Sequence, residues 1–393
     1  MFNLTKAGET FSYEGLLGQH GLTEDIRVVA EVTCNGQVLG SFSYNIVSSN
    51  TAMWVSHELP IPASFKPGIY NVVVRLKEEG SSQYITSEGK VVADTMKVSV
   101  YNQTMPRQKY LIEHFSHLNC GYCPAAIRVL DELVTLRNDV AWVSFHGQLP
   151  NPDVFTVDGW RYIATLNGLK GYPTAILNRS QQLYVQHNNA KSGAQSTSDA
   201  INKSNVPSLA SIKMEASYDK EHKNIHIKVQ CEAVEGIEEV LGKTCLSVYL
   251  TEDRVQPYGD SWGYGGSTLY NRIFRAFATE SPYGAPISWD GNKWSAEFDV
   301  PAKEGWKLKN MRAVAFVSRE ASSASTALSN LEVTNAEEVC LKENATTGIT
   351  EVRKQGKTEV ARYNSMGKKL DAPQRGLNIV KYADGTTEKQ MLK

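Results

Sequence analysis

The sequence has no run of about 18 apolar residues, the length a membrane-spanning helix requires. It also lacks an excess of either charge: 41 Lys and Arg stand against 42 Asp and Glu, a formal net charge of −1. That balance supplies no electrostatic reason for nucleic acid or an anionic membrane as partner. The first residues, Met1-Phe2-Asn3-Leu4-Thr5-Lys6, carry no basic segment leading into an apolar one. They read either as a cytosolic start or as a chain from which an export signal has been removed. Cysteine is scarce, with six among 393 residues, too few for a disulfide scaffold.

What is present is a globular composition, in a chain too long for one ordinary core. Residues 1–103 read as strands. Asn35-Gly36 is a hairpin signal between apolar segments, and Tyr70, Val72, Val74 and Leu76 share one face of a strand. The expectation for 1–103 is an immunoglobulin-like β-sandwich. The period then changes. A short apolar strand over 109–115 precedes a helix over 120–137, whose Ala126, Ile127, Leu130, Leu133 and Val134 form one apolar face. An apolar strand over 140–145, a helical stretch over 153–166 and a strand over 173–177 complete a βαβ arrangement with a parallel pair. The polar stretch 181–205 reads as a terminal helix, a linker or both. Strands return over 212–218, 225–234, 245–251, 294–300 and 312–318, so 206–340 is expected to be a second sandwich. Within it the aromatic, Gly-rich stretch 258–283 reads as a long ordered loop. Residues 345–393 look like a small separate β-unit, with strands over 358–363 and 377–382 and turns at Met366-Gly367 and Asp384-Gly385.

The chemistry concentrates at Cys120-Gly121-Tyr122-Cys123. Two cysteines at this spacing close a small disulfide ring, and a helix N-terminus beside them favours the thiolate. Pro124 suits a first helical turn. Strand, cysteine pair and amphipathic helix together form a thioredoxin-like redox context. The downstream Gly171-Tyr172-Pro173-Thr174 stands where thioredoxin-like proteins place a cis-proline beside the pair. The fold class expected is therefore α+β multidomain: a thioredoxin-like α/β domain over 104–205, flanked by two immunoglobulin-like β-sandwiches, with a C-terminal β-unit. Alternatives stay open. The pair could be a static disulfide stapling the helix start, or His114, His117, Cys120 and Cys123 could form a tetrahedral zinc set. His146 ends a buried strand and reads either as a loop residue or as a proton carrier near the pair. Cys34, Cys231, Cys245 and Cys340 read as small buried residues, with Cys231 and Cys245 a candidate cross-strand bridge.

Several segments together resemble the 28-kDa outer-membrane-protein-related family over roughly residues 105–335. They are Glu113-His114-Phe115, the Cys120–Pro124 segment, Phe145-His146-Gly147, Gly168 through Thr174 and Leu177-Asn178-Arg179. Tyr270-Asn271-Arg272-Ile273-Phe274-Arg275-Ala276 and Tyr283-Gly284 resemble that family's C-terminal β-domain. The resemblance implies a bacterial envelope location, outer-membrane-associated or secreted, where disulfides persist. Two departures from thioredoxins stand out: His114 replaces the buried acid six positions before the first cysteine, and Asn119 replaces the preceding Trp. Residues 362–370, then Gly376-Leu377-Asn378-Ile379-Val380 and Lys393, resemble the sorting tails of type IX secretion.

Two functional readings follow. In the first the protein exchanges disulfides: Cys120 is the nucleophile, Cys123 the resolving thiol, Pro173 and Tyr172 face the substrate, and His146 and His114 handle protons. Its partners are protein thiols or disulfides. In the second the same region is a scaffold in a surface-associated binding protein with an envelope partner. Neither reading involves a cofactor, a metal, nucleic acid or a transmembrane segment.

Overall fold

The computed structural model describes residues 3–19, 22–48, 52–204, 206–219, 221, 223–257, 269–321, 332–343, 359–364, 367–382 and 387–392. The chain separates into two compact units, residues 1–344 and 345–393.

The first unit opens with a lopsided pair of sheets. Asn3–Lys6, Ala93–Tyr101, Gly68–Glu78, Ile26–Cys34 and Gln37–Ile46 lie side by side in that order, opposite a sheet of only Thr10–Leu17 and Met53–Pro60. Alternation turns Ala30, Val32, Val72 and Val74 inward against Phe11, Val55 and Leu59. Asn35 (φ 48°) and Gly36 (φ 76°) make the hairpin turn between Ile26–Cys34 and Gln37–Ile46. A two-residue turn of this hand needs positive φ at both positions.

The centre of the unit is a nine-stranded sheet. Its order is Gln181–Leu183, Thr174–Leu177, Tyr110–Ser116, Val140–His146, Ile273–Phe277, Thr244–Glu252, Met311–Arg319 and Val333–Cys340, with Ala285–Pro286 pairing beside Thr244–Glu252. This corrects the expected fold class. The described residues form 26 strands and four α-helices, and no thioredoxin-like α/β core stands between two sandwiches. The βαβ segment is one end of a mixed sheet. Ile273–Phe277 takes the open edge of Val140–His146, with Ser144 in parallel register to Ile273. One core joins Leu111, Phe115, Phe145 and Ile163 to Tyr249, Phe274, Phe316 and Val333. The cause is visible in the strands themselves. Val140–His146 and Thr244–Glu252 are buried along their whole length, and a strand apolar on both faces must be covered on both.

The helix Cys123–Leu136 buries Ala126, Ile127, Val129, Leu130 and Leu133 against one face of this sheet. Each fully buried Leu there contributes about 1.5–3 kcal/mol. The helix stops where Arg137 turns extended and pairs with Asp139 at 2.8 Å. Helix Ala190–Asn202 packs Ala194 and Ile201 into the same core, and its Asn189 cap accepts the Ser192 N–H. The helical stretch expected over 153–166 is helical only at Trp160–Leu166. Its N-cap Gly159 has φ 89°, and a Cβ there would lie 2.7 Å from the Phe277 ring, so only glycine suits both demands.

A four-stranded sheet of Lys293–Pro301, Asn224–Ala233, Ala210–Asp219 and Lys342–Glu343 packs Ile212, Ile225 and Val229 on Leu246, Val248 and Ala315 of the large sheet. Cys231 and Cys245 belong to these two different sheets and are free thiols, so the cross-strand bridge does not form. The second unit is a sheet of Lys369–Leu370, Glu359–Asn364, Gly376–Tyr382 and Thr387–Leu392. Parts of several expected features lie outside the described residues: 258–268 of the aromatic loop, Met366 and Asp384-Gly385 of the tail turns, and Lys393. No helix among the described residues is long and apolar enough to cross a membrane.

Candidate functional site

The register of three strands gathers the candidate residues at one sheet edge. Tyr110–Ser116 runs parallel to Val140–His146, pairing Ser116 with His146. Thr174–Leu177 runs antiparallel on the other side, pairing Phe115 with Thr174. Pro173 therefore stands one step beyond that pair, beside the loop carrying Cys120. The peptide bonds before Pro150 and Pro173 are cis.

Cys120 and Cys123 are joined in a disulfide with Cα atoms 5.4 Å apart. Cys120 is 5% exposed and Cys123 fully buried. Cys123 opens the helix with Pro124 in the first turn, and its N–H donates to Cys120 Sγ at 3.1 Å. Tyr122, between the cysteines, is exposed.

The sheet face beneath this helix carries polar side chains where an ordinary core would be apolar. Ile112 and Trp142 pack with Ala126 and Leu130, and alternation puts His114, Ser116, Ser144 and His146 on the same face. His114 Nδ1 lies 3.0 Å from Ser144 Oγ. Burial, with His146 nearby, pushes the His114 imidazole down to about 3, so it is neutral across the ordinary pH range. His114 Nε2, Ser116 Oγ, Trp142 Nε1 and His146 Nε2 are all buried without a hydrogen-bond partner. Four such atoms on one face are unusual, since buried polar groups are normally satisfied.

His146 Nδ1–H donates to Asp153 Oδ2 at 2.7 Å. Its ring stands edge-on to Phe155 and Tyr270. Asp153 also accepts the N–H groups of Leu118 and Phe155. Burial pushes its carboxyl up, but the His146 bond and these N–H groups outweigh that and hold it below the usual carboxylate value. His117 Nε2–H donates to the Asn151 carbonyl at 2.8 Å, and its Nδ1 accepts the Asn119 N–H at 3.0 Å. A cavity of about 360 Å³ beside this loop is lined by His117, Asn119, Leu149, Pro150, Asp153 and Val154.

The zinc arrangement does not assemble, because both cysteines are spent in the disulfide and the two histidines are engaged with Ser144 and with Asn119 and Asn151. Among the described residues no group of three or more His, Cys, Asp or Glu could hold a metal. Tyr172 is half-buried and accepts the Gln148 N–H at 3.1 Å. Burial raises its hydroxyl pKa.

Three features escaped the sequence reading. Asp153 anchors His146, and only its place in the turn Asn151-Pro152-Asp153 hinted at a structured loop. Gly147 lies so close to Tyr172 and Trp160 that a Cβ would collide with both. Glu113 forms a fully buried fork with Arg179 at 3.0 and 3.1 Å, to which Asn167 and Tyr249 add hydrogen bonds. These partners are too far apart in sequence for any local pattern to join them.

A family model described as outer membrane protein Omp28 matches residues 162–344, in agreement with the resemblance drawn from the motifs. Among solved structures, the chain is similar to HBP35 of Porphyromonas gingivalis. The TM-score is 0.52 at 13% identity, over 74% of this chain and all of that one (100%), a likeness of fold alone. It also matches a domain of the outer membrane lipoprotein Omp28 of Porphyromonas gingivalis, with TM-score 0.25, 19% identity and coverage of 36% of this chain and 96% of that one. A further match is the CARDB domain of the PF1109 protein of Pyrococcus furiosus, with TM-score 0.21, 14% identity and coverage of 25% and 81%. No curated protein matches.

Proposed function

We propose that this is an envelope-associated protein that exchanges disulfides through Cys120 and Cys123. The observation that carries the reading is the Cys123 N–H aimed at Cys120 Sγ. A backbone donor at a helix start stabilises a thiolate on that sulfur. In the reducing direction the Cys120 thiolate attacks one sulfur of a substrate protein's disulfide, and the other substrate sulfur leaves as a thiolate. Cys123 then yields its proton to His146 Nε2 and attacks Cys120 Sγ. The substrate's second thiol is released, and the Cys120–Cys123 disulfide is restored with two electrons passed to the substrate. His114, kept neutral by burial, lines the same face without taking up a proton. Tyr172 and Pro173 flank the approach of the substrate.

The family-model match over residues 162–344 supports an outer-membrane-associated location. Residues 345–393 serve in this reading as a type IX sorting tail. Their deletion should hold the protein in the periplasm, and normal surface delivery without them would remove that part of the proposal.

The burial of both sulfurs favours a second reading, a static disulfide in a surface-associated binding protein. Alkylation separates the two. In reduced protein at pH 6, Cys120 should label before Cys34, Cys231, Cys245 and Cys340, since helix-start thiols of this kind have pKa values of roughly 3.5–7.5. Cys123→Ser should trap mixed disulfides with partner proteins. If Cys120 labels no faster than the others and the oxidised pair resists glutathione, the disulfide is structural.

A further inference from the structure

The N-terminal pair of sheets leaves a space that the redox reading does not use. Two strands cannot cover the inner face of five, and at one end the sheets enclose a cavity of about 230 Å³. Its walls are apolar: Ala30, Val32, Phe42, Val55, Val74 and Leu76. A dry cavity of about 150 Å³ holds one benzene, so this one has room for roughly nine carbon atoms. The mouth is apolar too. Leu16, on its rim, is 62% exposed and pairs across the two-stranded sheet with Trp54, which is 76% exposed.

Polar groups are few and converge. His57 stacks on Phe42 with ring centroids 3.6 Å apart, and its Nε2 is hydrogen-bonded to the Tyr44 hydroxyl. Tyr13 adds a second hydroxyl. Asp94 is exposed and is the one charged residue among those lining the cavity. An apolar pocket with a small set of placed polar groups is the general form of a small-ligand site. Here the fixed charge at the mouth is negative.

We propose that this cavity binds a single aliphatic chain of about nine carbons bearing an ammonium head, with the chain against Val32, Val74 and Leu76 and the head at Asp94. A carboxylate head of the same length is rejected by the like charge of Asp94. A hydroxyl head forms the hydrogen bond without the charge attraction and binds with intermediate affinity.

Titration calorimetry of the full chain with nonylamine, nonanol and nonanoate tests this. The expected result is saturable one-to-one binding of nonylamine, at least tenfold tighter than nonanoate. Asp94→Asn should remove that preference for the amine over the carboxylate, and Ala30→Leu, which fills the cavity, should abolish binding of all three. Methyl NMR of the unsubstituted protein gives a check independent of variant folding, since nonylamine should shift the methyls of Val32, Val74 and Leu76. Absence of saturable amine binding, equal binding of amine and carboxylate, or shifts confined to other methyls would each overturn the proposal.

Discussion

Asp153 ties His146 to the loop that carries the cysteine pair: one carboxylate oxygen accepts both His146 Nδ1–H at 2.7 Å and the Leu118 N–H at 2.9 Å. Two residues beyond Leu118 stands Cys120. The orientation of His146 and the position of the disulfide therefore depend on the same buried carboxylate.

Asp153→Asn should destabilise the protein by about 1–3 kcal/mol at pH 7, the usual cost of impairing a buried hydrogen-bonded group. The sign of its pH dependence follows from a carboxyl held below its usual value. Such a group stabilises the folded state above the unfolded pKa of about 3.9, and the contribution is lost as pH falls through the folded value. Urea unfolding should show the substituted and unsubstituted proteins converging as pH drops below about 4. A gap that stays constant down to pH 2 would count against an ionised Asp153.

The cysteine pair, its helix and the parallel strands around it were legible because each has a local period: apolar residues at helical spacing after Cys123, and a mostly apolar run at Val140–Phe145. The shared sheet was not. It depends on Ile273–Phe277, a five-residue strand with a distant partner, taking the edge of Val140–His146. One signal was available. Residues 245–251 and 313–318 are mostly apolar or small without the alternation of 225–233 or 293–301, and strands of the first kind are covered on both faces. Asp153 gave no such signal, since its role arises only when the loop folds back onto the strand end.

Glu113→Gln should cost about 3–5 kcal/mol, because it leaves the Arg179 guanidinium buried without its carboxylate. Replacing the two together by apolar residues, Glu113→Leu with Arg179→Met, should cost less than the two single losses summed. A double-mutant cycle by chemical unfolding reads the coupling. Additive losses would mean that the two side chains do not depend on each other.

Gly147→Ala should disturb the cysteine-side loops without touching either sulfur. The added methyl would lie 2.7 Å from the Trp160 ring and collide with the Tyr172 hydroxyl, and overpacking of this kind costs about 1–3 kcal/mol. Because Tyr172 precedes the cis-Pro173, the near-ultraviolet circular dichroism and the alkylation rate of Cys120 should both change. An unchanged spectrum with unchanged stability would show that the loop has room to spare.

The last prediction concerns His114, which is wholly buried and held neutral by that burial, with a pKa pushed to about 3. In the unfolded chain a histidine takes up its proton near pH 6.5. Between these values the unfolded state binds more protons than the folded one, so stability falls as pH is lowered from 6.5 and the loss levels off near 3. The full swing is on the order of 5 kcal/mol. His114→Leu loses the Ser144 contact and removes the unpartnered Nε2, so its effect at pH 7 is the balance of two opposed terms and its size there decides little. The slope does decide. The Leu variant should lack the part of the acid sensitivity that lies between pH 6.5 and 4, and its stability should approach or exceed that of the unsubstituted protein at pH 4. Denaturant midpoints measured at half-unit steps would show this directly. Parallel curves for the two proteins across that range would mean that His114 takes up its proton in the folded state as readily as in the unfolded one. The neutral state that burial imposes on His114 would then be wrong.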